Sequence, residues 1–447
     1  MLSLALAVVA APAAMAGAAA APLAAPGDAA PDDAAFVNRT HQAEQLIAAN
    51  RTAEARAVLE QLERSRPHAA QVQFLLGLLD RQDKDYDSAI HRFRRILVDD
   101  PKAVRVRLEL ARTFYEADDY AGAERQFRFA RAGKLPEAVA QNVDRYLMAV
   151  RQRKTFSFGL AVAIVPDSNL NAGPATDTVT LYGLPFELSP DARKNSGVGA
   201  SIDLSTEWAP RVAGNTKLRV GGQLHRVQYG ASQFNDMTLS AYAGPRVNLK
   251  RWELNLVGSA ARRWYGDKPY TDLFAGSFDA TYNVTARFAV GGAASVNYID
   301  YLRNPLQSGP GGTLAANVIY VPTPASLLRG TVQAGRQGAK IRGYANRSRL
   351  VGLQYLREFK GGITVALSPA YTRIDYDGPL SPERPNDTFG ITRRDRQFTV
   401  QAALLNRRID WYGFTPRLAY TYTRNVSSIP LYTFSRSRFE IGLTSEF

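Results

Sequence analysis

Few residues of this chain carry side chains suited to catalysis. Four histidines occur in 447 residues, and no cysteine. Only His225 lies in the C-terminal two-thirds. An imidazole beside a carboxylate or a hydroxyl is a general base. Asp203 or Ser205 on a neighbouring strand would complete such a pair, as in a barrel hydrolase. The structural alternative makes His225 an inward polar residue beside Gln223, and it is the reading adopted. No H-E-x-x-H, G-x-S-x-G or Walker sequence accompanies the histidine. Catalytic residues, metal ligands and cofactors are therefore expected to be none. The missing cysteines exclude disulfides, thiolate metal sites and the lipid-bearing cysteine of a bacterial lipoprotein.

A second cluster offers hydrogen bonding without catalysis. The stretch VPDSNLNAG, Val165 to Gly173, places Pro166, Asp167, Ser168, Asn169 and Asn171 directly after an alternating apolar run. Proline ends a ladder, and short polar side chains bond backbone where strand pairing stops. They open a segment of about 30 residues, Asp167 to Ser196, long for a connection inside a compact fold. Loop closure is the simple role for Asp167 and Ser168. Asn169 and Asn171 leave open a loop folded inward, lining or gating a pore.

The elements that must position these groups show two periods. Residues 1–16 form an apolar run ending in Ala14-Met15-Ala16, expected to be a signal peptide, although a basic leading region is missing. An Ala-rich arm is the alternative. Residues 17–35 are an Ala/Pro-rich linker. Between 36 and 154 the chain superposes on itself at a shift of about 34 residues. Ala55, Ala89 and Ala123 align, as do Leu59, Phe93 and Phe127, Pro67 and Pro101, and Tyr86 and Tyr120. The small residue lets antiparallel helices approach, the aromatic fills the gap between hairpins, and the proline stops the second helix. Hairpins are expected at 36–69, 70–103 and 104–135, with a capping helix at 136–151. By register, Gln71, Phe74, Leu78, Arg105, Leu108 and Arg112 line the concave face as a groove for an extended client peptide. The alternative is solvated helix surface with Phe74 and Leu108 in the core.

From 155 to 447 the period is two. Fourteen strands are expected: 156–165, 198–208, 216–229, 236–249, 252–265, 270–283, 287–300, 312–321, 326–338, 347–359, 362–376, 393–405, 410–424 and 435–447. In RSRFEIGLTSEF, Phe439, Ile441, Leu443 and Phe447 share one face, while Arg438, Glu440, Thr444 and Glu446 share the other. A charged face opposite an apolar one describes a barrel in lipid. Phe398, Val400, Ala402 and Leu404 repeat the pattern against Gln397, Thr399 and Gln401. Segment 347–359 shows no clear lipid face. Trp208, Trp252, Trp264, Trp411, Tyr265 and Tyr301 are expected in interfacial girdles. Arg219, Gln223, Gln333, Gln397 and Gln401 are expected to wet the lumen. Long connections at 166–197, 301–311 and 377–392 fall on one side and short turns on the other, as outside and periplasm should. A soluble propeller is the alternative to the barrel.

The fold class is thus multidomain, α plus all-β: a tetratricopeptide-like α-solenoid before a 14-stranded antiparallel transmembrane β-barrel. With the motif Pro166-Asp167-Ser168-Asn169-Leu170-Asn171 after the first strand and the terminal Phe447, this order resembles the Slam family, the surface lipoprotein assembly modulators. The resemblance implies an outer-membrane translocator, its helical domain in the periplasm, that moves a partner protein to the cell surface. It implies a surface lipoprotein or secreted soluble protein as client, and no enzyme activity. Phe439, Ile441, Leu443 and Phe447 would form the signal read by the barrel assembly machinery. Outer-membrane lipids are the other partner, and a monomer is expected.

The formal charge of +14 and pI of about 9.8 suit an acidic polymer or anionic lipid. No nucleic-acid motif occurs, so that partner is set aside. A polysaccharide-export porin with a tetratricopeptide domain, or a plain porin, are the alternatives. The periplasm has no ATP, so transport would draw on client folding outside or on other machinery.

Overall fold

The computed structural model describes residues 31–445, apart from 134, 154, 175, 182–183, 384–387, 407, 410 and 412–413. Phe447 and the expected signal peptide and most of the linker, residues 1–30, lie outside the described residues. Seven helices come first: α1 (Pro31–Ala48), α2 (Thr52–Ser65), α3 (Ala70–Gln82), α4 (Tyr86–Asp99), α5 (Val104–Glu116), α6 (Tyr120–Arg131) and α7 (Glu137–Arg153). The repeat sets their ends. Asn50, Lys84 and Asp118 take φ of 59°, 65° and 61° after the first helix of each pair, the left-handed conformation that ends a helix. Asp85 and Asp119 then cap α4 and α6, accepting from Ser88 N at 3.2 Å and Gly122 N at 2.9 Å.

Two compact units meet within α3, one ending at Leu75 and the other beginning at Leu76. The first holds α1 and α2 around Ala43, Ala55, Leu59 and Leu62, all buried. Arg66 lies 4.5 Å over the Phe36 ring and pairs with Asp33. The second unit holds the later helices and all the strands. Gly77 there shows why the repeat needs a small residue: a Cβ would stand 2.8 Å from Phe93 Cε1. Ala111 stands at the equivalent position one repeat on and is fully buried, as is Ala123, with Phe127 2% exposed.

The strands are β1 (Phe156–Asp167), β2 (Thr178–Leu181), β3 (Leu184–Glu187), β4 (Gly197–Trp208), β5 (Arg211–Ala213), β6 (Thr216–Tyr229), β7 (Asp236–Asn248), β8 (Trp252–Tyr265), β9 (Lys268–Asn283), β10 (Phe288–Tyr301), β11 (Gly309–Thr323), β12 (Ser326–Gln337), β13 (Asn346–Glu358), β14 (Ile363–Tyr376), β15 (Arg394–Asn406), β16 (Thr415–Ser427) and β17 (Phe434–Thr444). Fourteen of them form one closed antiparallel barrel. It closes where β1 pairs with β17, from Ala161 opposite Thr444 to Asp167 opposite Arg438. The β2–β3 hairpin lies in the long connection after β1, and β5 is a short arm on the start of β6. Closure leaves no unpaired edge in lipid.

Alternation assigns the two faces. Phe158, Ile164, Leu239, Leu256, Phe274, Val296, Leu314 and Ile441 are exposed, and their register neighbours share their outward side. Phe156, Trp208, Trp252 and Trp411 are exposed near the periplasmic ends. Tyr265 and Tyr301 depart from the expected girdle. Both stand on the inward face, Tyr265 beside Leu170 and Tyr301 edge-on to Tyr270 at 5.8 Å. The expected strand 410–424 is shifted: β16 begins at Thr415, and a lone Trp411–Phe414 bridge precedes it. Connections on the side of the β1 C-terminus include the two longest, 168–196 and 377–393. One outer turn is very tight: Gly266 and Asp267 both take positive φ, at 57° and 56°, as a two-residue hairpin demands.

Candidate functional site

At the outer end of β1 the polar motif is wrapped into the wall. Val165 and Asn169 are fully buried. The Asp167 carboxylate points inward and receives Arg436 of β17, Nη2 at 2.5 Å and Nε at 2.9 Å. Tyr229 of β6 donates its hydroxyl to the same oxygen at 3.3 Å. Ser168 and Ser437 exchange two bonds, Ser168 N to Ser437 O at 2.9 Å and Ser437 N to Ser168 Oγ at 2.8 Å. Asn169 donates Nδ2 to Gly173 O at 2.9 Å and to Ser435 O at 3.0 Å, and accepts from Gly173 N at 2.8 Å. Asn171 Nδ2 holds the returning limb through Asp191 O and Arg193 O at 2.8 and 2.6 Å. Gly173 approaches the Arg193 carbonyl so closely that a Cβ would lie 2.7 Å from it.

Leu170 turns into the barrel and packs on the inward residues Val227 and Tyr229, with Phe234 and Tyr265 around it. The root of the long loop therefore lies against the inner wall. Asp167 and Ser168 bind the last strand as well as closing their own turn. Pro166 takes part in the β1–β4 ladder opposite Val198. Next along the rim, burial opposes the charge of Arg393, yet its bonds to Asp395, the shortest 2.5 Å, raise its pKa overall. Burial pushes the neighbouring Tyr432 hydroxyl up, and that ring lies 3.5 Å under the Arg393 guanidinium.

Register puts the expected lumen residues on the face opposite the exposed apolar rows, with polar and apolar neighbours mixed. Gln223 stands opposite Ser205, Gln397 opposite Thr372 and Asn425, Gln401 opposite Ser368 and Thr421, and Gln333 opposite Ala315 and Leu350. Gln223 and Gln401 are exposed on that face, so water reaches the lumen at their level. Toward the periplasm, Glu207 accepts from Arg219 at 2.6 Å and from the Tyr242 hydroxyl at 2.8 Å. Asn255 extends the chain of bonds from Arg246 at 2.8 Å to Asp279 at 2.9 Å. On the far side of the closure, Glu440 takes Arg417 at 2.7 Å and Arg438 at 3.2 Å. His225 pairs with Asp203 at 2.5 Å, and Ser205 sits one register row from the imidazole.

At the periplasmic rim, α4 to α6 dock on barrel turns. Arg107, 1% exposed, donates to Pro101 O at 3.0 and 2.6 Å and to Gln126 Oε1 at 2.7 Å, and forms an ion pair with Glu358 at the end of β13. Gly361 N donates to Val98 O at 2.6 Å. Nothing in the sequence singled out Arg107, because an arginine on a helix is ordinarily solvated. The partners of Arg107 and of Asp167 are both remote in sequence, which hid them.

The expected groove residues fare unevenly. Phe74 is buried, 5% exposed, and so belongs to core packing rather than an open groove. Arg112 is taken by Glu116, Nε to Oε1 at 2.9 Å, which also binds Arg81 at 3.0 Å; it is a paired group, not a free cation. Gln71 is exposed and donates to Glu44 at 2.6 Å. Arg105 is exposed, and Leu78 and Leu108 are half-buried. Phe439 and Ile441 face outward and exposed, with Leu443 half-buried in the same row.

Comparison with known proteins follows this division. Residues 156–447 match the family model described as surface lipoprotein assembly modifier, starting at the first residue of β1. Residues 41–103 and 80–147 match tetratricopeptide repeat models. Surface lipoprotein assembly modifier 1 of Haemophilus influenzae is 21% identical over 380 residues, 83% of this chain and 76% of that protein. The surface lipoprotein assembly modifier of Pasteurella multocida is 19% identical over 389 residues, 83% and 75% of the two chains. The hemophilin secretion modulator of Acinetobacter baumannii is 20% identical over 400 residues, 84% and 78%.

Proposed function

The chain belongs to the surface lipoprotein assembly modifier family, an outer-membrane barrel behind periplasmic tetratricopeptide repeats, and on that premise we propose that it passes a client protein from the periplasm to the cell surface through the barrel. The observation that carries this reading is a wetted, charged inner wall whose periplasmic rim is clamped to helices α4 to α6. A polypeptide entering such a lumen exchanges water for the fixed polar groups of Gln223, Gln397 and Gln401, so its backbone is never left without partners.

The client arrives extended. Leu78 and Leu108 cover its apolar side chains, and Arg105 binds carboxylates or carbonyl groups. The Arg107–Glu358 ion pair keeps the docked helices in place at the barrel entrance. The root of the long loop, with Asn169 and Leu170 on the inner wall, forms a gate at the exit. Folding of the client outside supplies the drive, since a periplasmic process has no ATP. The names of the relatives cover both lipoprotein assembly and secretion of a hemophilin, so the client is a surface lipoprotein or a secreted soluble protein. The barrel acts as a monomer, among outer-membrane lipids, after insertion by the barrel assembly machinery.

The test co-expresses the protein with the secreted or lipoprotein product of an adjacent gene. External protease should digest the client on intact cells only when this protein is present. Equal digestion in its absence overturns the proposal. Replacing Arg105 and Leu108 by Ala should reduce crosslinking of client to the helices; unchanged crosslinking removes the capture step and leaves the barrel step standing.

A further inference from the structure

The outward face of the barrel is apolar over its middle rows, and charge enters near the cell-surface edge. Arg226 of β6 and Arg262 of β8 are met there by Asp267 and Asp272, whereas five adjacent strands, β12 to β16, carry more outward arginines than carboxylates. Arg349 of β13 stands directly opposite Arg373 of β14, and Arg373 stands directly opposite Arg396 of β15. One row nearer the cell surface, Arg336 of β12 is opposite Arg347, and Arg394 is opposite Asp375. Arg424 of β16 lies one row below, opposite Phe398. All seven are exposed. Two carboxylates offset them: Asp375 is 3.0 Å from Arg373, and Asp377 pairs with Arg336. Arg349, Arg394, Arg396 and Arg424 form no side-chain hydrogen bond or ion pair among the described residues.

Like charges directly opposed on a sheet destabilise it. Three arginines in one cross-strand row, with Asp375 bonded only to the middle one, leave Arg349 and Arg396 to be met by an anion from elsewhere. Their height identifies it. The row below holds Val332, Val351, Tyr371 and Phe398, all exposed and outward, so the arginines stand at the upper edge of the apolar belt. Arginine facing hydrocarbon is costly at mid-bilayer and nearly free at the interface. Long side chains also carry their heads up to the polar level. At that level a Gram-negative outer leaflet presents phosphorylated glycolipid headgroups. Guanidinium binds phosphate bidentately, two N–H groups to two oxygens.

We propose that the outward faces of β12 to β16 form a binding site for the phosphorylated headgroup of the outer-leaflet glycolipid, its phosphates held by Arg349, Arg373 and Arg396 and its acyl chains lying on Val351, Tyr371 and Phe398. This site stands apart from client transport. It fixes the depth and rotation of one side of the barrel in the outer leaflet, the side that includes the β13–β14 turn on which α4 docks.

The experiment uses the full-length protein in phosphatidylcholine nanodiscs doped with bisphosphorylated lipid A, with dephosphorylated lipid A, or with neither. Native mass spectrometry counts retained lipid, and heat-modifiable migration verifies folding. The wild type should retain bisphosphorylated lipid A at least about tenfold better than the dephosphorylated form, a contrast expected of charge-assisted contacts. R349Q/R373Q/R396Q should lose that preference. Equal retention of the two lipids by the wild type overturns the proposal without reference to any variant. So does an unchanged preference in the folded triple variant. Equal thermal stabilisation by inorganic phosphate in lipid A-free discs overturns it as well, since it shows a plain anion site.

Discussion

Asp167 and Asn169 act at the scale of single hydrogen bonds. Asp167→Asn keeps the shape and removes the charge that Arg436 and Tyr229 share. Breaking a buried pair by deleting one partner is costly, moderated here because Arg436 keeps some exposure. A loss of about 2–3 kcal/mol in unfolding free energy is expected, measured by urea titration of the barrel in lipid vesicles; an unchanged midpoint would contradict the role. Asn169→Ala removes three hydrogen bonds and strands the Gly173 and Ser435 carbonyls in a dry place. It should loosen the loop root and raise the single-channel conductance in planar bilayers. The sequence made the motif visible as a polar turn after a strand. It did not reveal Arg436 or Ser437, because those partners lie 269 residues away and no local pattern links them.

At the scale of elements, helices and strands were legible for different reasons. The repeat spacing fixed the hairpins, since the small residue, the aromatic and the left-handed turn recur together. Strict alternation fixed most strands. Segment 347–359 was the exception, and the structure explains it: Arg347, Arg349 and Arg357 alternate with Val351 and Leu353 on the outward face, so charge and apolarity share a side. Phe74 follows the alternative reading, core rather than groove, because a helix buried on two faces hides which face is open. Two predictions belong here. Glu358→Gln should leave Arg107 charged without its carboxylate and weaken docking by about 3–5 kcal/mol. Amide exchange should speed up in α4 to α6 and stay unchanged in the strands. Phe439→Arg should cost the barrel about 2–4 kcal/mol near mid-membrane, plus the ring contact with Tyr420 at 4.7 Å. Gln401→Arg, facing the wetted lumen, should cost far less in the same folding assay.

At the scale of the whole molecule, the absence of cysteine makes a clean mapping possible. Gln401→Cys should react with a membrane-impermeant maleimide in intact proteoliposomes, and Phe398→Cys should resist it by about tenfold or more, as a lipid-facing site lacks the water that a thiolate needs. Equal labelling would dissolve the distinction between lumen and lipid on which the transport proposal rests. The closure between β1 and β17 carries a further consequence, in time rather than in space. Asp167, Ser168 and Asn169 are made with and just after β1, whereas Ser435, Arg436 and Ser437 are made with β17, the last strand of the barrel. Until β17 arrives, Asp167 has Tyr229 but not Arg436, Asn169 has Gly173 but not Ser435, and Ser168 lacks Ser437. The finished seam satisfies all three at once, so a half-built barrel gains little by closing around itself early. The polar turn after β1 thus gives its full set of bonds only to a barrel in which β17 stands beside β1.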